Sequence, residues 1–181
     1  MTTASCRQRR QSRVVTPRSS VIVVGGGAGS AFARAVIATT DGVTFRTIAT
    51  LPVAVRYAAV AELRGRIYVF GGAGAAGDVA TIQVVDVAAG TAHVLGRLPS
   101  TLSHGTALAV GGRLLIAGGR HAGAALSSIL EYDPATGRTT TVGRLPRAMS
   151  DAAGVVVGGT GYLLGGEART PLDSIVVLTT G

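Results

Sequence analysis

The residues best able to do chemistry in this chain are few, and they recur at one spacing. Arg56-Tyr57, Ser103-His104 and Ser150-Asp151 stand 47 residues apart, so a cation, an imidazole and a carboxylate follow one another at the same phase. Arg120, His121, Glu167 and Arg169 form a second polar group. Such side chains recognise peptides or small polar ligands through charge-assisted hydrogen bonds. They do not form a recognisable catalytic set. His93, His104 and His121 lack the spacing that two metal ligands on one strand or helix require. The chain has no Gly-x-Ser-x-Gly elbow, no P-loop and no close carboxylate pair. Cys6 is the sole cysteine, which excludes an intrachain disulfide framework and a cysteine-based metal site. No metal and no cofactor are expected, and the polar groups read as binding residues or as ordinary polar loop residues.

One glycine-rich motif competes with this reading. VIVVGGGAGSAFARAVIA, starting at Val21, reads as a strand, a tight turn and a small-residue helix, close to the dinucleotide fingerprint that seats phosphates on a helix N-terminus. Ser30 stands where the third glycine belongs, Asp41 arrives early for a ribose-binding acid, and no helix–strand alternation follows. A strand followed by a loop is the simpler expectation.

The elements that must position the polar residues are legible in Gly105 to Pro146. Four short β-patterned runs, Gly105–Val110, Arg113–Ala117, Ser128–Tyr132 and Arg138–Val142, are separated by turn residues. Asp133-Pro-Ala-Thr-Gly137 fits a type I turn closed by a left-handed residue. The pattern repeats. Glycine doublets at Gly25-Gly26, Gly71-Gly72, Gly118-Gly119 and Gly165-Gly166 are spaced by 46, 47 and 47 residues, and Leu-Pro recurs at 51, 98 and 145. Two markers holding one period indicate a repeat architecture.

The doublets in IYVFGG, LLIAGG and GYLLGG, together with EYDP, resemble kelch repeats over residues 20–181. The resemblance implies an all-β kelch-type β-propeller with units 20–52, 53–99, 100–146 and 147–181. The first unit has only Val14-Val15-Thr16 for an inner strand, and the last ends before an outer one. About 3.5 four-stranded blades are therefore expected, an incomplete ring. Closure into four blades, with Arg13–Thr16 as the outer strand of the last unit, is the alternative. Inner strands built of small residues suit blades converging on an axis. Tyr68 and Tyr162, in phase with Ile22 and Leu115, are expected to pack between blades. The family's strand-three Tyr is matched by Tyr132, while its strand-four Trp is replaced by Phe45, Ala92 and Thr139.

In resembling propellers the loop entering the inner strand and the loop after the doublet share one face. That places Arg56, Tyr57, Ser103, His104, Arg120, His121, Ser150, Asp151, Glu167 and Arg169 together as candidate binding residues. The implied function is a non-enzymatic binding module for a protein or small polar ligand. The alternative is part of a carbohydrate-active propeller enzyme of galactose-oxidase or sialate-mutarotase type. Copper oxidation of the former kind would need a cysteine-linked Tyr, and Cys6 lies outside every unit. An open arc would also expose a blade face at each end, so self-association is expected.

Charge excludes other partners. All 17 basic residues are Arg, and five of them lie in the first 18 residues, leaving twelve against nine acids in the body. The net charge of +8 thus belongs mostly to a basic segment, residues 1–19, expected to be disordered. Without a basic stripe or aromatic platforms, nucleic acid is not expected. No run of 18 apolar residues is present, so no transmembrane helix and no membrane partner are expected. The compartment stays open: the cytoplasm is favoured, with secretion through an Arg-rich leader as the alternative.

Overall fold

A computed structural model describes residues 13–15, 20–28 and 31–180. The protein is all-β, and among the described residues there is no helix. Sheet one runs Arg13–Val15, Val21–Val24, Ala35–Thr39, Arg46–Thr50. Sheet two is Ala59–Leu63, Arg66–Phe70, Thr81–Asp86, Thr91–Arg97. Sheet three is Thr106–Val110, Arg113–Ala117, Ala124–Asp133, Arg138–Met149, with Arg120–His121 paired to the start of its third strand. Sheet four has Ala153–Val157, Thr160–Leu164 and Ile175–Leu178. Every pairing is antiparallel between sequence neighbours, as short turns allow.

Several expectations are refined. Ala31–Phe32 and Ala35–Thr39 are strands, so among its described residues the glycine-rich stretch has no helix N-terminus of the kind that a dinucleotide phosphate needs. Arg13–Val15, inside the segment read as disordered, is a strand that pairs with Val21–Val24. It is the first strand of sheet one, not a partner for sheet four. The disorder expected for the rest of 1–19 lies outside the described residues. The third and fourth strands of sheet three extend beyond their predicted ends, to Ala124 and Met149.

Burial follows the pleat. Side chains alternate across each sheet, and sheet two is covered on both faces. Ile22, Val24 and Val36 of sheet one meet Val60, Ile67 and Val69 of sheet two. Ala59, Tyr68, Phe70 and Ile82 on the other side meet Ala107, Leu114, Ile116 and Tyr132 of sheet three. Leu108, Val110 and Leu115 then meet Leu163 and Leu178 of sheet four. Tyr68, Phe70 and Tyr132 form an aromatic cluster, with Phe70 edge-on to Tyr132 at 5.5 Å between centroids. Phe45, the residue nearest to the missing Trp, is 49% exposed, so this cluster carries the packing instead. The first strands contact one another in chain order, Arg13–Val15 to Ala59–Leu63 to Thr106–Val110 to Ala153–Val157. Small residues permit that approach: a Cβ on Gly154 would lie 2.5 Å from Thr106 Cγ2.

The doublets are where the backbone joins sheet to sheet. Both glycines of each doublet have positive φ, for example 60° and 108° at Gly71 and Gly72. That geometry turns the second N–H outward. Gly26 donates to Val55 O at 3.0 Å, Gly72 to Leu102 O at 2.7 Å and Gly119 to Met149 O at 2.8 Å. Val55 and Leu102 belong to the loop that enters the next sheet, and Met149 is the last strand residue before that loop. A Cβ on Gly71 or Gly118 would collide with the carbonyl oxygen of Leu102 or Met149. Buried Gln83 adds a side-chain link, its Oε1 accepting from Val53 N at 2.8 Å while Nε2 donates to Val53 O at 3.2 Å.

Turn chemistry fixes register. The hairpins between first and second strands use Arg64-Gly65, Gly111-Gly112 and Gly158-Gly159, all with positive φ, the two-residue I′ geometry. Arg64, at φ 54°, is the one non-glycine among these six and is exposed. The turns between third and fourth strands rest on carboxylates. Asp41 Oδ1 accepts from Thr44 N and Val43 N, both at 2.8 Å, and from Thr39 Oγ1 at 2.9 Å. These donors hold its carboxyl well below the usual range, the Thr44 and Val43 amides first. Asp133 is lowered by the Thr136 hydroxyl and then the Ala135 amide.

Two outcomes follow for stability. Arg64→Asn, which tolerates the left-handed region and matches the Asn-Gly preference, should stabilise by about 0.5–1 kcal/mol, a rise of roughly 1–4 °C in Tm. Gly71→Ala should instead destabilise by more than about 2 kcal/mol through positive φ and the Leu102 carbonyl. Calorimetry on both variants checks the pair; a neutral Gly71→Ala would remove the backbone joint from the argument.

The turn carboxylates set a pH dependence. Their folded pKa values lie below the unfolded value of about 3.9, so their contribution is present above that pH and is lost as pH falls through the folded values. Tm should therefore drop below about pH 4, and by less in Asp41→Asn/Asp133→Asn. A drop of equal size in the variant would place the acid sensitivity elsewhere.

Candidate functional site

The loops entering the first strands of sheets two, three and four repeat one backbone course. Arg56 exchanges hydrogen bonds with Ala73, at 3.0 and 2.7 Å. Ser103 does the same with Arg120 at 3.0 and 2.7 Å, and Ser150 with Glu167 at 2.8 and 2.8 Å. Each partner is the residue just after a doublet. The two loop classes singled out in the sequence therefore lie against each other in sheets two, three and four.

The next residue in each loop is held in an uncommon conformation. Tyr57, His104 and Asp151 have φ of 56°, 59° and 59°. His and Asp visit the left-handed region more readily than most residues, whereas a Tyr there must be held by its surroundings. The holding contacts run from unit to unit: His104 N donates to Tyr57 O at 2.8 Å and Asp151 N to His104 O at 2.9 Å.

The side chains repeat the same links. The Tyr57 and His104 rings stack with centroids 3.9 Å apart and planes at 23°. His104 Nδ1 lies 2.7 Å from Asp151 Oδ1. At the other end, the Arg56 guanidinium sits 4.7 Å from the Phe32 centroid and 5.5 Å from that of Tyr57. A continuous row results, from Phe32 through Arg56, Tyr57 and His104 to Asp151. The row holds an imidazole–carboxylate pair, but among the described residues no hydroxyl or thiol is hydrogen-bonded to His104, so no nucleophile is attached to it.

The remaining candidates lie on adjoining loops. Arg120 Nε donates to Ser150 Oγ at 3.0 Å, and its Nη2 lies 3.5 Å from Glu167 Oε1. Ser103 Oγ donates to Asp78 Oδ2 at 2.9 Å. His121 is turned to Thr101, with Nδ1 2.8 Å from its Oγ1. Arg169 does not join the row. It lines a cleft of about 610 Å³ with Arg120 and Arg147, whose lining also includes Gly123, Ala124 and Ala148. Among the described residues, neither Arg147 nor Arg169 has an acidic partner. No group of three metal-ligating side chains occurs among the described residues.

Sequence reasoning missed Phe32, Asp78, Thr101 and Arg147. The first two sit in hairpins after the first and second doublets, Gly27–Ala28 with Ala31–Phe32 and Ala73–Gly74 with Gly77–Asp78. Their distance from the doublet was the available signal. Arg147 follows Leu145-Pro146 and carried no signal.

A scan against protein-family models found no match, and a search of curated proteins found none.

Asn tolerates the left-handed region, so His104→Asn and Asp151→Asn isolate the side-chain contact from the backbone. A double-mutant cycle on Tm and denaturant midpoints should give a coupling of about 0.5–1 kcal/mol, the range for partly exposed pairs. A cycle that closes at zero would reduce the row to its backbone links.

Proposed function

We propose that the four sheets are consecutive blades of a kelch-type β-propeller arc, the first three with four main strands each and the last with three, and that the chain is a non-enzymatic binding module. The observation that carries the reading is the triplet Tyr57, His104 and Asp151. Three non-glycine residues at one repeat position hold left-handed backbones, and their side chains join into one row. Strained backbone of this kind persists where surroundings over-determine it and is concentrated at binding sites. Loops on a rigid scaffold are also where binding function concentrates. The 47-residue period of the doublets, each closing a second strand, supports the propeller part of the reading.

The ligand class follows from the cleft beside the row. Its volume of about 610 Å³ falls within the roughly 300–1,000 Å³ usual for small-molecule sites. Three guanidinium groups face one nearby carboxylate, Glu167, so positive charge is left over for the ligand. Planar guanidinium forks match carboxylates bidentately. The module thus takes a peptide segment or small polar ligand bearing acidic groups, with the small side chains of Ala124, Ala125, Ala148 and Ala168 supplying contact area.

Isothermal titration of the full chain with hexaglutamate and hexaglutamine tests this. Hexaglutamate should bind, hexaglutamine should bind at least about tenfold more weakly, and Arg147→Gln/Arg169→Gln should remove most of the difference. Both arginines are exposed, so Tm should change by less than about 0.5 kcal/mol equivalent. Equal binding of the two peptides, or of neither, would overturn the reading.

A further inference from the structure

The three joints inside the chain use the same positions each time, and one half of a fourth joint is left uncovered. The residue before each doublet shows this directly: Val24, Phe70 and Ala117 are 3%, 0% and 4% exposed, because each packs against the following sheet, whereas Leu164 is 38% exposed. Its cross-strand neighbours behave alike. Val36 and Ile82, paired with Val24 and Phe70, are 0% exposed, while Ile175, paired with Leu164, is 63% exposed. Val155, Val157 and Val177 extend the same face at 43%, 61% and 54% exposure. Sheet four therefore carries a contiguous apolar surface of the kind that marks an interaction site.

The backbone joint is open at the same place. Gly166 has φ 100°, like Gly26, Gly72 and Gly119, which all donate to the loop of a following sheet. Among the described residues Gly166 makes no such bond. Sheet one offers the reverse half. On sheet two, the face toward sheet one is formed by Val60, Ile67, Val69 and Val85. By register Ile67, Val69 and Val85 correspond to Val21, Val23 and Thr39 on sheet one, and Gln83 to Ile37; Thr39 is buried, but Val21, Val23 and Ile37 are only half-buried. The uncovered face thus continues, one repeat further on, a series of interfaces already made three times within the chain.

We infer that sheet four docks against sheet one of a second copy of this chain. The contact is heterologous, one patch against a different patch, and such contacts close into rings when the rotation per copy allows. Two copies would bring eight sheets, within the range of about four to eight blades in closed propellers. The pair then closes by two identical joints, each burying the Leu164, Ile175 and Val177 face. Closure, though not the joint itself, rests on the propeller reading above.

Light scattering coupled to size exclusion tests the full chain and three samples derived from it. The wild type should run at twice the 18.1 kDa chain mass. Ile175→Asp/Val177→Asp and, separately, Val23→Asp should run at 18.1 kDa with their strand circular dichroism retained, since the altered side chains are exposed or half-buried. Mixing the two variants should restore association, because each keeps the half-joint that the other lacks. A wild-type monomer with a cooperative melt would overturn the inference, as would a dimer that survives Ile175→Asp/Val177→Asp. Open-ended assemblies sensitive to the same substitutions would keep the joint but overturn the closed pair and the curvature of the propeller reading.

Discussion

The structure depends on one backbone hydrogen bond made three times, from the second glycine of a doublet to a carbonyl in the loop of the next sheet. The bond demands two consecutive residues at positive φ and a surface so bare that the neighbouring carbonyl can approach. Only glycine meets both demands. Antiparallel pairing within a sheet is available to many sequences, but this joint determines how close successive sheets stand. It therefore decides which side chains can fill the space between them, and why the first strands are built from Ala, Gly and Val.

The same bond positions the candidate site. The accepting carbonyls are those of Val55, Leu102 and Met149, and the left-handed residues Tyr57, His104 and Asp151 follow each by two positions. One residue between them, Arg56, Ser103 or Ser150, is tied to the post-doublet loop of its own unit. Each loop is thus held at both sides, once to its own sheet and once to the preceding one. A Tyr in the left-handed region costs about 1–2 kcal/mol, and this double anchoring keeps it there. Packing and site are products of one arrangement.

The interior shows how a repeat tolerates irregular members. Sheets two and three meet through Tyr68, Phe70 and Tyr132, while the outer-strand positions Ala92 and Thr139 contribute little bulk. Sheets three and four have no aromatic pair between them and instead bring glycine against Thr106, Leu108 and Val110. Burying a Leu, Ile or Phe contributes about 1.5–3 kcal/mol, so several such residues per joint suffice without a conserved geometry.

What the sequence alone determined was local and periodic. Strand type, the order of the main strands and the hairpin at Asp133–Gly137 were legible, because glycine, proline and alternating side chains act on the backbone within a few residues, whereas the nearness of the doublet loops to the loops before the first strands was expected only from the resemblance. The all-β class followed from these signals. The identity of the contacts between units was not legible. That Tyr57 stacks on His104, that His104 meets Asp151 and that Arg147 joins Arg120 and Arg169 depend on how far each sheet is rotated and displaced from the last. That displacement is set by the glycine–carbonyl joint and by the volumes packed between the sheets, quantities summed over dozens of residues distant in sequence. Periodicity could align the polar residues in one register; only tertiary structure separated the row from the arginine cleft, and showed which face of the last sheet was left uncovered.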